Sequence, residues 1–305
     1  MWCDPLYSKL VRLNDFRYRR RECGGDIRSF VKALSKLELD PLYSERDNNG
    51  HLIEVREYQK FRWMQIGSRD LQALVHVDDP ARPLLNTNLS MLAALLFCPS
   101  PQSMLNLGLG GGSFERFFTH VFPKLSMTSV ELNTAVVGLA RKFFFLPPHY
   151  PVVIECAENY LARCSNQHDL IFCDVFDSRD HPLFLLNADF YGHCHRCLST
   201  KGVLALNLAP KTRDELLEIL VAVRKHFSWV LLLDVDHCGN YLLYGLKQEA
   251  GVRELLEARA EQLQQSRGLE LMDIPGRLTR LPKPKKALQF AQALARDNSI
   301  HQSKN

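Results

Sequence analysis

The sequence is poor in the features that mark a membrane protein, a fibre or a disulfide scaffold. None of its apolar runs nears the roughly 18 residues needed to cross a bilayer, and the longest, at 91–98 and 229–233, are core-sized. With only 16 Gly and 15 Pro against 46% hydrophobic residues, collagenous and mostly disordered chains are excluded. The nine cysteines, at 3, 23, 98, 156, 164, 173, 194, 197 and 238, lack the dense spacing of a disulfide framework and read as reduced, small hydrophobes. The first residues run quickly into Asp4, Asp15 and the cluster Arg17, Arg19, Arg20, Arg21 rather than into an apolar leader, so the expected compartment is the cytoplasm. Excess charge is also scarce. The net charge is +4 over 305 residues, and residues 277–305 alone carry +6, leaving −2 for the rest. That is enough length for one large domain with appendages or two modest ones.

What is present falls into four stretches. Residues 1–50 form an N-terminal extension, with a helix expected over 27–39 and a polar break at 45–50. Residues 51–102 hold short alternating segments at 52–57, 61–66 and 71–77, which predict a small antiparallel β unit, followed by a linking helix. From 103 to 248, apolar runs alternate with amphipathic ones, the pattern of a parallel α/β sheet. Strands are expected at 104–109, 127–131, 152–155, 170–174, 203–208, 230–234 and 241–246, with helices at 114–121, 134–144, 189–198 and 213–226. Only residues 235–240 join the last two strands. A parallel crossover needs about a dozen residues, so this pair is an antiparallel hairpin. Residues 249–305 read as a basic helical tail, with helices at 252–265 and ending near Arg296, divided by Leu281-Pro282-Lys283-Pro284-Lys285-Lys286.

The first strand runs into Leu107-Gly108-Leu109-Gly110-Gly111-Gly112-Ser113, with Ser113 the expected N-cap of the following helix. Glycines there allow a tight turn and close backbone approach to a ligand, and free N–H groups at the helix start face it. Nineteen residues after Gly112 the second strand ends in Glu131, where a carboxylate can accept hydrogen bonds from both ribose hydroxyls of an adenosine. The rival readings are a ligand-free turn and a dinucleotide site. The second would need glycine in place of Ser113. A P-loop is excluded, since no Gly-Lys-Ser/Thr follows.

The fourth strand carries Asp174 at its C-terminal end and Asp177 and Asp180 just beyond it. Ligands of open α/β sheets bind outside those ends. Carboxylates there can hold an amine in line with a reactive carbon and accept its proton, which an alkylamine of pKa about 10.4 otherwise keeps at neutral pH. The plainer reading makes Asp174 a cap and Asp177 and Asp180 solvated turn residues.

Together these marks resemble the spermidine synthase group of polyamine aminopropyltransferases, within the class I S-adenosylmethionine-dependent methyltransferase fold. The likeness spans about 52–246. It rests on the glycine loop, Val130-Glu131-Leu132, Glu155-Cys156-Ala157 with Tyr160-Leu161, the run 169–177, Asp189-Phe190-Tyr191, 198–204, and Gly67-Ser68-Arg69-Asp70-Leu71-Gln72. It implies a Rossmann-like, seven-stranded sheet with a terminal antiparallel hairpin behind a small antiparallel β unit. It also implies that Gly108, Gly110, Gly111, Gly112, Glu131, Cys156 and Ala157 bind the cofactor, with Glu131 on the ribose and Cys156-Ala157 along the adenine. Asp174 would then be the catalytic base, and Gln72 and Asp177 would bind the amine.

Four departures stand beside the matches. Gly111 replaces an Asp that in the family grips the amino end of decarboxylated S-adenosylmethionine, and its loss also removes a charge that would repel the carboxylate of intact S-adenosylmethionine. Cys156 replaces an adenine-contacting Asp, for which Glu155 or Glu158 could substitute. The segment 84–89 lacks the expected tyrosine, and Ser178 follows Asp177 where proline is usual.

The expected function is therefore transfer of an aminopropyl group to a small-molecule amine, with S-adenosylmethionine or its decarboxylated form as cofactor. The alternatives are a methyltransferase of another substrate and a non-catalytic module retaining the fold. No metal is expected. Cys194-x-x-Cys197 beside His193 and His195 is half a zinc site, without a second pair unless His237 and Cys238 approach. Phe143-Phe144-Phe145 reads as core or interface. The basic stretch 283–286 has no interleaved aromatics and reads as a solvated tail, and the run 17–21, with Tyr18 alone among its arginines, carries no RNA-binding signature, so neither nucleic acid nor membrane is an expected partner, and a homodimer is left open.

Overall fold

A computed structural model describes residues 34–35, 37, 39–47, 49–67, 71–175, 182–235 and 239–282. Two sheets organise the chain. The first is antiparallel, in the order β1 (Tyr43–Arg46), β2 (Leu52–Tyr58), β3 (Phe61–Ile66), β4 (Leu71–His76). β2 to β4 follow the expected alternation. Glu45 and Arg46 of β1 fall in the polar break expected at 45–50, and only its pairing to β2 makes this segment a strand. The segment 71–73 departs from regular pairing: Met64 faces Ala73 and Gln65 faces Leu71, so Gln72 is the extra residue of a bulge.

A short helix α1 (Asn86–Met91) and a 3-10 turn (Leu92–Leu96) lead to the second sheet. Its strands are β5 (Ser103–Leu107), β6 (Ser126–Glu131), β7 (Val152–Ile154), β8 (His168–Cys173), β9 (Leu198–Leu208), β10 (Trp229–Val235), β11 (Asn240–Leu246) and β12 (Thr279–Arg280). They lie in the order β12-β10-β11-β9-β8-β5-β6-β7. β5 to β9 are parallel, β10 and β11 form the expected antiparallel hairpin, and β11 returns antiparallel to β9. The seven expected strands are joined by an eighth: β12 pairs through two residues with the edge strand β10.

Helices α2 (Ser113–Val121), α3 (Thr134–Phe143), α4 (Ala157–Arg163), α5 (Ala188–Cys197), α6 (Arg213–Arg224) and α7 (Arg253–Arg267), with a second 3-10 turn at Leu183–Leu186, complete the described elements. The central strands are buried on both faces. Leu170 and Phe172 of β8 join a layer with α2, α7 and the 3-10 turn, while Ile171 and Cys173 join a layer with α4, α5 and α6. The small sheet packs Ile53, Val55, Met64 and Ala73 on Val136 and Leu139 of α3.

Candidate functional site

The chain leaves β5 for β6 and β7 on one side and returns to β8 on the other, so the switch point of the sheet lies between the C-terminal ends of β5 and β8. Ligands of open α/β sheets bind at such a crevice. Gly108 stands at the end of β5 with φ +91°, and a Cβ there would lie 2.3 Å from the carbonyl oxygen of Asp174 at the end of β8. No other residue type fits this approach. Gly110 and Gly112 also adopt positive φ, and Gly112 takes the N-cap of α2 without a side-chain cap. This corrects the expectation for Ser113, which is the first helical residue: the left-handed turn that ends the loop falls one position earlier.

Glu131 closes the loop from β6. Its Oε2 accepts the Leu109 N–H at 3.0 Å and its Oε1 the Asn133 N–H at 2.9 Å. Each oxygen keeps acceptor capacity for a further donor. Asn133 in turn caps α3 through Ala135 N–H and donates to Asp47 Oδ2 at 2.9 Å, tying the β1–β2 turn to this strand end. Beside it, the Glu155 N–H donates to Glu131 O, which sets Cys156, the N-cap of α4, and buried Ala157 against the end of β6. Glu155 itself is paired with Arg163, so its carboxylate is engaged along α4.

The small sheet supplies the remaining wall. The Gln72 carbonyl would lie 3.4 Å from a Cβ at Gly110, so the bulge in β4 carries Gln72 to the glycine loop. Next to it, a Cβ on Gly111 would meet the Ala73 Cβ at 2.6 Å and the Phe144 ring at 3.3 Å. Of the Phe143-Phe144-Phe145 run, therefore, the middle ring packs against the loop. Position 111 has no room for an aspartate as the structure stands.

Asp174 is half-buried, and burial raises its carboxyl above the ordinary range, while a hydrogen bond from Asn207 Nδ2 at 2.8 Å acts in the opposite sense. Asn207 lies at the end of β9 and accepts from Asn240 Nδ2 of β11 at 3.0 Å. Asp177 and Asp180, and likewise His237, Cys238, the runs 17–21 and 283–286 and the helix ending near Arg296, lie outside the described residues, as does most of the 27–39 helix.

Residues absent from the sequence reading hold the loop from below. Arg116, buried in α2, donates to the carbonyls of Pro80, Gly111 and Phe144. Glu115 accepts from Asn106 Nδ2 at 2.7 Å and Ser129 Oγ at 2.5 Å, and Asn106 also donates to the Gly108 carbonyl. Burial raises the Glu115 carboxyl. Asn106 and Asn207 carried a signal: each is one polar residue in an otherwise apolar strand end.

Cys194 and Cys197 are buried in α5, with Cys197 Sγ against the Cys164 carbonyl, and among the described residues no three His, Cys, Asp or Glu side chains gather as metal ligands. Among them, too, no helix is long and apolar enough to cross a membrane.

No family model matches the chain. It is 30% identical over 233 residues to a polyamine aminopropyltransferase from Chromobacterium violaceum, covering 74% of this chain and 88% of that protein. In fold it is similar to a probable spermidine synthase from Corynebacterium glutamicum, with a TM-score of 0.67, 17% identity, and 83% and 94% of the two chains covered. It is similar also to human methyltransferase-like protein 13 in complex with SAH, at TM-score 0.56 and 20% identity, covering 60% of this chain and 92% of that one.

Proposed function

Since this chain belongs to the polyamine aminopropyltransferase family, we propose that it transfers an aminopropyl group to a small amine at the crevice between β5 and β8. One observation carries the reading: the loop glycine that admits no side chain abuts the backbone of the strand-end carboxylate Asp174, with Glu131 bonded to the same loop. On this reading the glycine backbone, Glu131 as ribose-binding acid and Asp174 as proton acceptor serve one cleft.

The nucleoside part of the donor suits these residues. Glu131 has acceptor positions left for ribose hydroxyls, Cys156 and Ala157 flank the adenine side, and Gly108 and Gly110 let backbone approach. Bound there, the sulfonium nucleoside supplies an electrophilic methylene and a thioether leaving group. Asp174 orients the amine in line with that carbon and takes the proton released as the nitrogen bonds to it and the carbon–sulfur bond breaks. Its raised pKa suits a proton acceptor. Gln72 and Asp177 hold the far part of the amine.

A second reading, methyl transfer from intact S-adenosylmethionine, is favoured by Gly111. Ala73 and Phe144 occupy the space a carboxylate would need, so this position offers no charge against the carboxylate of the intact cofactor. Calorimetry with both forms, followed by product analysis with putrescine and spermidine, separates the readings. Aminopropyl transfer requires binding of the decarboxylated form and an elongated polyamine product. Asp174→Asn should then lower turnover by about 10²-fold or more with nucleoside affinity kept. Absence of binding by either form at millimolar concentration would sink both readings.

A further inference from the structure

The carboxyl of Asp174 is the outer end of a chain of hydrogen bonds that crosses three strands. Asn240, at the start of β11, donates through Nδ2 to Asn207 Oδ1 at 3.0 Å, and Asn207, at the end of β9, donates through Nδ2 to Asp174 Oδ1 at 2.8 Å. Asn207 is 3% exposed, and its strand is otherwise apolar over Val203–Leu208, where a buried amide is costly unless bonded. Both ends of its amide are satisfied by these two partners.

The order of the bonds matters chemically. An amide presents a donor at one end and an acceptor at the other, and the two faces exchange when it flips. In the structure the Asn240 nitrogen faces the Asn207 oxygen, and that arrangement turns the Asn207 nitrogen towards Asp174. A deprotonated carboxylate accepts that N–H. A flipped amide would oppose oxygen to oxygen and favour the protonated acid.

We propose that Asn207 and Asn240 are positioning residues that hold Asp174 as an aligned, proton-accepting carboxylate, Asn240 acting by fixing the orientation of the Asn207 amide. This rests on the reading of Asp174 as the base. It leaves the second oxygen of Asp174 for the amine. Among the described residues, Gly108 of the glycine loop approaches the Asp174 backbone, and Cys173, its neighbour on β8, is a thiol that burial and then Asp174 push up. Burial alone opposes the Asn207 bond at Asp174.

The test is a carbon-detected NMR titration of aspartate side chains in the full chain, with Asp174 assigned by its disappearance in Asp174→Asn. The Asp174 midpoint should move up in Asn207→Leu and, by less, in Asn240→Ala. If the chain turns over, the two variants should lose roughly tenfold more activity at pH 6.5 than at pH 9, with the KM for the amine little changed. An unmoved midpoint in both variants overturns the inference. Should Asn207→Leu fail to fold, Asn240→Ala decides, because half-buried Asn240 lies at the hairpin turn and its loss opens no core. A midpoint that moves while Asp174→Asn keeps full turnover leaves the relay standing and removes Asp174 as the base, so the two ideas fail separately.

Discussion

Asp174 shows what a buried carboxyl at a strand end costs the fold. Burial raises its pKa in the folded chain above the roughly 3.9 of an unfolded aspartate. Below about pH 4 the acid is protonated in both states, and its contribution to stability is fully present. That contribution is lost as pH rises through the folded-state value, because folding must then bury a charge. Asp174→Asn keeps an acceptor for Asn207 and removes the charge, so its Tm should exceed that of the parent at pH 7.5, with the gain vanishing towards pH 4. Paired thermal melts across that range check it, and a gain that persists at pH 4 would mean that packing rather than ionisation is responsible. At this scale the sequence was a good guide where one element sufficed: Gly108, Glu131 and Asp174 are each the last residue of a strand or the first after it. Asn207 and Asn240 stand at strand ends too, but the hydrogen bonds that join them to Asp174 depend on β11 returning between β9 and β10, a pairing no local pattern encodes.

Among the elements, the informative one is β4. Its bulge carries Gln72 to the glycine loop and leaves Ala73 against Gly111. Gly111 has no positive φ, so contact alone, not backbone conformation, forbids a side chain there. Gly111→Ala should therefore destabilise the chain by about 1–3 kcal/mol through overpacking. Adding Ala73→Gly should recover most of the loss, and urea unfolding of the single and double variants would show the coupling. Additive losses would place the strain at Phe144 instead. Strands 52–58, 61–66 and 71–76 were legible by alternation, yet the bulge was not, since a one-residue register shift changes no composition. β1 and β12 escaped for a related reason: one aromatic followed by three polar residues, and a pair of residues, have no periodicity, and only their partners make them strands.

Across the whole molecule, the net positive charge lies in the sequence that follows β12, the edge strand of the large sheet. Residues 283–305 carry a net +4, so residues 1–282 are neutral. The described chain ends at Pro282, whose carbonyl accepts from the buried guanidinium of Arg224, while Leu281 N–H donates to Val230 O and Arg280 pairs with Leu231. A chain cut after Gly276 should melt a few degrees below one cut after Pro282, because it bares the β10 edge and leaves Arg224 short of an acceptor. Equal melting temperatures would show that β12 only decorates the sheet. The contact between Gly111 and Ala73 has a consequence for how such a chain could change. An acid introduced at 111 while alanine occupies 73 meets a collision before it meets a ligand. Retreat to glycine at 73 has to come first, and that step confers nothing on the cleft by itself. The two positions thus form a latch, and a single-residue path back to an acidic loop is closed from one direction.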